Sequence, residues 1–194
     1  MPISRPPIFA APTWLNGQLL IAMPGMSDPR FDRTVLYMCS HSPDGAMGLI
    51  INRTLDEIRF PDLMGQLGIE GAEGSDLPVH FGGPVDSSRG FVLHSADFRA
   101  DQTLVVDETV ALTATRDILR AIVDGTGPSK AIFALGYASW SPGQLDSEIQ
   151  ANAWLTAPAD RDLIFDRDLD AKWERAFARL GFSPAMLSDA AGHA

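Results

Sequence analysis

Apolar residues in this chain come first in short runs and later at helical intervals, and that change of rhythm predicts the order of its elements. Leu19-Leu20-Ile21-Ala22-Met23 reads as a strand stopped by Pro24-Gly25. Thr34-Val35-Leu36-Tyr37-Met38-Cys39 and Met47-Gly48-Leu49-Ile50-Ile51 flank the turn formers Ser42-Pro43-Asp44-Gly45 and predict a hairpin. Phe60, Leu63, Met64 and Leu67 share one face of a short helix, and a Gly-rich acidic loop follows over 68–76. Val79-His80-Phe81 runs into Gly82-Gly83-Pro84. Asp86-Ser87-Ser88-Arg89 reads as a turn before a strand from Gly90 to His94. Two further strands, Leu104-Val105-Val106 and Val110-Ala111-Leu112, surround Asp107. A helix from Thr115-Arg116-Asp117 carries Ile118, Leu119, Ile122 and Val123 inward and ends at Gly125.

The remaining third follows the same logic. Ala131-Ile132-Phe133-Ala134-Leu135 is too short for a typical helix and predicts a buried strand closed by Gly136. Ser141 then stands as an N-cap, Pro142 suits the first helical position, and Gln144 falls where a capping box needs it. Gln144, Glu148 and Asn152 form a polar stripe beside Leu145, Ile149 and Ala153. Leu163-Ile164-Phe165 reads as a short strand. Asp168 caps a helix with Leu169, Trp173, Ala176, Phe177 and Leu180 inward and Gly181 at its end. Hairpins followed by alternating strands and helices, without regular βαβ units, predict an α+β domain with a mixed sheet partly covered by helices. Residues 1–14 are expected to form a flexible arm and 15–194 a single domain, ordered from about Leu15 to Phe182.

With 194 residues, 45% of them apolar, the chain can bury a sizeable core. No segment has the apolar length to cross a bilayer and the Pro-rich start does not read as a signal peptide, so a cytoplasmic protein is expected. The net charge of −10 opposes a phosphate backbone or an anionic leaflet, and no cluster of Lys and Arg offsets it. Direct nucleic-acid and membrane binding are therefore disfavoured, and any macromolecular partner is expected to be a protein. Cys39 is the single cysteine, which excludes an internal disulfide. It reads as a buried thiol, with activation by His41 on the same strand as the alternative.

Two stretches are candidate sites for a small anionic metabolite. Gly82 and Gly83 permit close backbone approach, and Arg89 supplies a fork of donors; a plain sheet-terminating turn, with Asp86 and Arg89 as an ion pair across it, is the competing reading. Trp140, Ser141, Gln144, Glu148 and Asn152 could form a binding rim at a helix start, Trp140 stacking the ligand; otherwise Trp140 and Trp154 clamp a solvated amphipathic helix onto the sheet. The histidines at 41, 80, 94 and 193 lack metal-ligand spacing, and neither a metal nor a cofactor is implied. Gly136-Tyr137-Ala138-Ser139-Trp140 misses a nucleophile-elbow spacing by one residue. A hydrolase-like enzyme would need His94 or His41 to meet Ser139, Cys39 or a carboxylate in the fold.

Several motifs in register resemble the YqgE/AlgH family of bacterial proteins: Gly17-Gln18-Leu19-Leu20-Ile21-Ala22-Met23-Pro24, Asp44-Gly45-Ala46-Met47-Gly48-Leu49-Ile50-Ile51-Asn52, Gly82-Gly83-Pro84-Val85 and Arg89-Gly90-Phe91-Val92-Leu93-His94. The similarity continues through Ala134-Leu135-Gly136-Tyr137-Ala138-Ser139-Trp140, Gly143-Gln144-Leu145, Glu148-Ile149 and Asn152-Ala153-Trp154-Leu155 to Ala191-Gly192-His193-Ala194. The arm before Leu15 departs from the family pattern. The resemblance implies a single α+β domain whose mostly antiparallel sheet is bent into a partly closed, barrel-like form with helices packed outside. It implies no established reaction; some members are labelled transcriptional regulators, and one branch is tied to exopolysaccharide production. Lacking a helix-turn-helix signal and a basic face, this chain is expected to be a non-enzymatic regulatory or adaptor protein that senses a small anionic ligand and acts indirectly on transcription. A hydrolase-like enzyme and a direct DNA-binding regulator are the alternatives.

Overall fold

The computed structural model describes residues 14–190. Of the arm expected at 1–14 only Trp14 falls within them, and residues 191–194 lie outside. In chain order the elements are β1 (Gln18–Ala22), β2 (Val35–Ser42), β3 (Gly45–Ile50), α1 (Phe60–Gln66), β4 (Val79–Phe81), β5 (Val85–Ser95), β6 (Leu104–Val105), β7 (Val110–Thr113), α2 (Arg116–Asp124), β8 (Ala131–Trp140), α3 (Gln144–Gln150), β9 (Trp154–Pro158), α4 (Arg161–Ile164), α5 (Lys172–Ala178) and α6 (Pro184–Ala190). None of these helices is long and apolar enough to cross a membrane.

The strands form one mixed sheet in the order β6-β7-β5-β8-β3-β2-β1-β9, with β4 pairing in parallel to β8 and every other pair antiparallel. The architecture is a single α+β domain whose sheet curls into a half-barrel with helices packed outside. Side chains alternate across a strand, so each strand feeds both faces. Leu19, Ile21, Val35, Tyr37, Leu49 and Ile51 join Trp173 and Phe177 of α5 in one core, whereas Leu20, Ala22, Leu36 and Met38 join Leu145 of α3, Trp140 and Trp154 in a second. A third core, with Phe60 and Met64 of α1 and Ile118 and Leu119 of α2, covers Val92, Phe133 and Leu135.

Strand β8 joins the two halves. Its residues 131–135 pair with β5 and β4, and its residues 138–140 pair with β3. Gly136, expected to close the strand, instead bends it: φ is +73°, a left-handed conformation open to glycine at little cost. Residues 86–89, expected as a turn before a strand, belong to β5 as an exposed excursion, because Val85 opposes Tyr137 and Gly90 opposes Leu135, leaving four residues of β5 against Gly136. The anticipated Asp86–Arg89 ion pair does not form; Asp86 accepts from the Ser88 hydroxyl, and Arg89 stacks over Phe91.

Other elements also differ from expectation. Leu163 and Ile164, read as part of a strand, lie in α4, because Asp160 caps that turn by accepting the Leu163 N–H at 2.8 Å. The strand that flanks β1 on the side away from β2 is β9, in the segment after α3. The last periodic helix begins at Lys172 rather than after Asp168, whose side chain accepts the Ala171 N–H within a preceding turn. Helix α6 adds order beyond Phe182.

Candidate functional site

At the end of β8 the chain turns through Ser141, Pro142 and Gly143 into α3. The helix starts at Gln144, two residues later than expected, with Gly143 at φ +75°. Half of the predicted capping box is made: Gln144 Oε1 accepts the Ser141 N–H at 3.0 Å, while no side-chain cap bond is formed at the helix start. One turn on, Glu148 is a hub rather than a solvated stripe residue. Its Oε2 accepts the indole N–H of Trp140 at 2.9 Å and of Trp154 at 2.8 Å, and Oε1 accepts from Gln144 Nε2 at 3.0 Å. Both indoles are buried and meet edge to face at 6.1 Å. Asn152 ends the helix instead of extending the stripe. It adopts φ +60°, its N–H donates to Ile149 and the next N–H, of Ala153, donates to Glu148, which is the hydrogen-bond pattern of a Schellman terminus with asparagine in the usual glycine position.

Gly82 and Gly83 lie against the bend of β8. A Cβ on Gly82 would stand 2.3 Å from the Gly136 carbonyl oxygen, and one on Gly83 would stand 2.1 Å from the Tyr137 carbonyl carbon. The Gly82 N–H already donates to Leu135 O at 2.9 Å, and its carbonyl accepts from Ile50. Close backbone packing is therefore what these glycines serve. Arg89 lies in the exposed excursion opposite the same bend, its guanidinium 5.0 Å from the centre of the Phe91 ring. Register places Gly82, Gly83 and Arg89 around Gly136, and Trp140, Ser141, Gln144 and Glu148 at the far end of β8, so the two sets share a strand without forming one pocket.

The nucleophile and base candidates are held apart. A bulge at Cys39 shifts the register between Met38 and Ser40, so Cys39 points into the core beside Tyr37 while His41 faces the opposite side, toward α3. Burial pushes the Cys39 thiol up to about 12. Folded protein is accordingly expected to leave Ellman's reagent unreduced and to release one thiol equivalent only in denaturant; fast native labelling would contradict this placement.

His41 accepts the Leu15 N–H at Nδ1, its Nε2 stands 3.5 Å from Asp146 Oδ2, and the Trp14 ring packs edge-on against it at 5.2 Å. His94 is also committed. Nδ1 lies 2.8 Å from the Ser95 carbonyl, so that nitrogen donates and the neutral ring accepts at Nε2 from the Thr113 hydroxyl, also at 2.8 Å. Burial lowers its pKa. No hydrogen bond joins Ser139, exposed on β8, to any of the described histidines. Among the described residues no group of three or more His, Cys, Asp or Glu side chains is arranged to hold a metal ion; His193 lies outside them.

Two buried groups escaped the sequence reading. Lys172 is fully enclosed, its Nζ donating to Ile51 O at 3.0 Å and Ile164 O at 2.8 Å, and burial brings its pKa down to about 8. Its place three residues after Leu169 and four before Ala176 on the inward face is the signal that could have revealed it. His80 has no hydrogen-bond partner at either ring nitrogen, and burial followed by the Lys172 charge drives its pKa from 6.5 down to about 4. The unfolded chain thus takes up this proton at higher pH than the fold does, and stability is lost as pH falls from 6.5 toward 4. The loss attributable to His80 is expected to reach about 3 kcal/mol. Urea midpoints followed across this range test it, and a His80→Leu variant should flatten the curve; an unchanged slope would reassign the effect.

Similarity to known proteins agrees with the geometry. A family model described as AlgH-like matches residues 19–185. The chain belongs to the YqgE/AlgH family. A UPF0301 protein of Rhodospirillum rubrum is 55% identical over 182 residues, covering 93% of this chain and 95% of the relative, and one from a Methylobacterium species is 56% identical over 194 residues, covering 95% and 92%. The solution structure of the AlgH protein from Pseudomonas aeruginosa has 41% identity and a TM-score of 0.77, covering 95% of this chain and 98% of that one. A crystal structure of a Corynebacterium diphtheriae protein, 22% identical with a TM-score of 0.66 over 83% of this chain and 86% of the other, shares the fold. The family is uncharacterised, and its names state no reaction.

Proposed function

We propose that this YqgE/AlgH protein is a non-enzymatic regulatory or adaptor protein that responds to a small anionic metabolite and influences transcription indirectly, through a protein partner. The supporting observation is the separation of the reactive candidates: Cys39 is buried in one core, His41 holds the Leu15 amide, and His94 is tied to Ser95 and Thr113. Arg89 favours an anionic ligand, since contact with the Phe91 ring places its guanidinium in an exposed segment. The net charge of −10 favours a protein partner over DNA, and the single buried thiol accords with a cytoplasmic setting.

Titration with phosphorylated and carboxylated metabolites, followed by calorimetry and heteronuclear NMR, tests the ligand reading. Binding weakened by Arg89→Ala would support it; a panel without heat or shifts would reject it. Mobility-shift assays at low salt are expected to show no sequence-dependent DNA binding, and tight, competitor-resistant complexes would overturn the indirect route. The His41–Asp146 pair is the observation that favours a hydrolase-like alternative. Ester turnover that vanishes with His41→Ala would establish that alternative.

A further inference from the structure

A cavity of about 260 Å³ lies among the C-terminal end of α1, the first turn of α2, β5 and β8. Leu63, Leu67, Leu119, Phe133 and Leu135 give it apolar walls, and the polar groups collect where α2 begins. Thr115 Oγ1 is enclosed there with no hydrogen-bond partner, although its residue is the N-cap of α2 and would ordinarily use that oxygen on the first turn. The α2 cap makes no side-chain hydrogen bond. Arg116 reaches back to the α1 end, donating from Nη2 to the Leu67 carbonyl, which leaves other guanidinium donors beside the same opening.

We propose that this cavity binds a small monocarboxylate with an apolar body, its charge held by Arg116 and the first-turn amides of α2, with the enclosed and unpartnered Thr115 hydroxyl turning toward it as a third donor. The proposal rests on reading the chain as ligand-responsive, and it supplies that reading with a pocket and a ligand class. A carboxylate accepts from all three donors at once, while the alkyl or aryl part occupies the leucine- and phenylalanine-lined space. An apolar cavity of about 150 Å³ is known to take benzene, so this one suits roughly ten non-hydrogen atoms. One negative charge fits better than two, because Asp117 stands in the same first turn of α2. Ser88 also lines the cavity, so the exposed β5 excursion bearing Arg89 borders the site and offers a route by which occupancy reaches the surface.

The test is titration of isotope-labelled full-length protein with benzoate and hexanoate, alongside benzamide, hexanamide and inorganic phosphate. Saturable shifts are expected at the amides of residues 115–118 and the methyl groups of Leu67, Leu119 and Leu135. Arg116→Gln should weaken the acids about ten-fold, as should replacing each acid by its amide. Leu67→Trp, at a position 41% exposed, should abolish binding by filling the mouth without disturbing a core residue, so the unfolding midpoint should hold. Acids that leave these signals unmoved, or that bind both variants as tightly as the parent, would overturn the proposal. Anion-dependent shifts confined to the Arg89 segment would sink the cavity and leave the ligand-responsive reading standing. Cavity binding that leaves partner capture unchanged would do the reverse.

Discussion

Gly136→Ala is expected to destabilise the protein by about 4 kcal/mol or more, enough to leave little soluble material. The new methyl would stand 2.3 Å from the Gly83 carbonyl oxygen and 3.1 Å from that of Val85, on a backbone already at φ +73°. Both obstructions are main chain, so no rotamer change relieves them, and moving either segment disturbs the pairing of β8. Gly65→Ala is the matched control, since an added methyl inside α1 would meet nothing within 4 Å; there alanine should stabilise by about 0.5–1 kcal/mol. Urea unfolding of the pair therefore predicts shifts of opposite sign. A Gly136→Ala midpoint within the error of the parent would mean that the bend can be made another way.

The second large effect is expected at Glu148. Alanine there removes the acceptor of two buried indole N–H groups and the partner of Gln144, at a cost of about 2–4 kcal/mol. Glutamine keeps one carbonyl oxygen and should cost less, about 1–2 kcal/mol. Chemical denaturation gives the stabilities, and tryptophan emission reports the local change, because loosening α3 exposes Trp140 and Trp154 to water. If Glu148→Ala unfolds with the parent yet loses a ligand or partner, Glu148 serves the rim envisaged from sequence. Destabilisation of the expected size makes it an anchor.

What was legible in the sequence was whatever depends on neighbours along the chain. The β2–β3 hairpin follows from two apolar runs around Pro43-Asp44, and α2 follows from four spaced aliphatic residues ended by Gly125, which takes φ +76° as a helix terminus does. The family motifs carried the curled sheet. What failed depended on partners far away in sequence. Gly136 carries the same local signal whether a strand ends or bends there, and only the backbone of residues 82–83 lying across it decides between them. Glu148 looked solvated because the spacing of α3 cannot show that Trp140 and Trp154, on flanking strands, converge on one oxygen. Cys39 and His41 appeared to share a strand face until the bulge separated them, since one extra residue reverses the alternation. Thr115 and Arg116 drew attention as a helix start, and the cavity beneath them is assembled from elements spread between Leu63 and Leu135.

The bend in β8 has a kinetic consequence. Because the same ten residues supply hydrogen-bonding edges to both portions of the sheet, neither portion can open fully while its share of β8 remains paired. Subglobal openings should therefore be confined to the periphery, with β6 at one margin and β9 at the other, whereas the central amides on either side of the glycine exchange with deuterium only through complete unfolding. Ile132, Ala134 and Ala138 should then report one common opening free energy, equal to that from denaturant titration, so that a strand split in direction behaves as a single foldon.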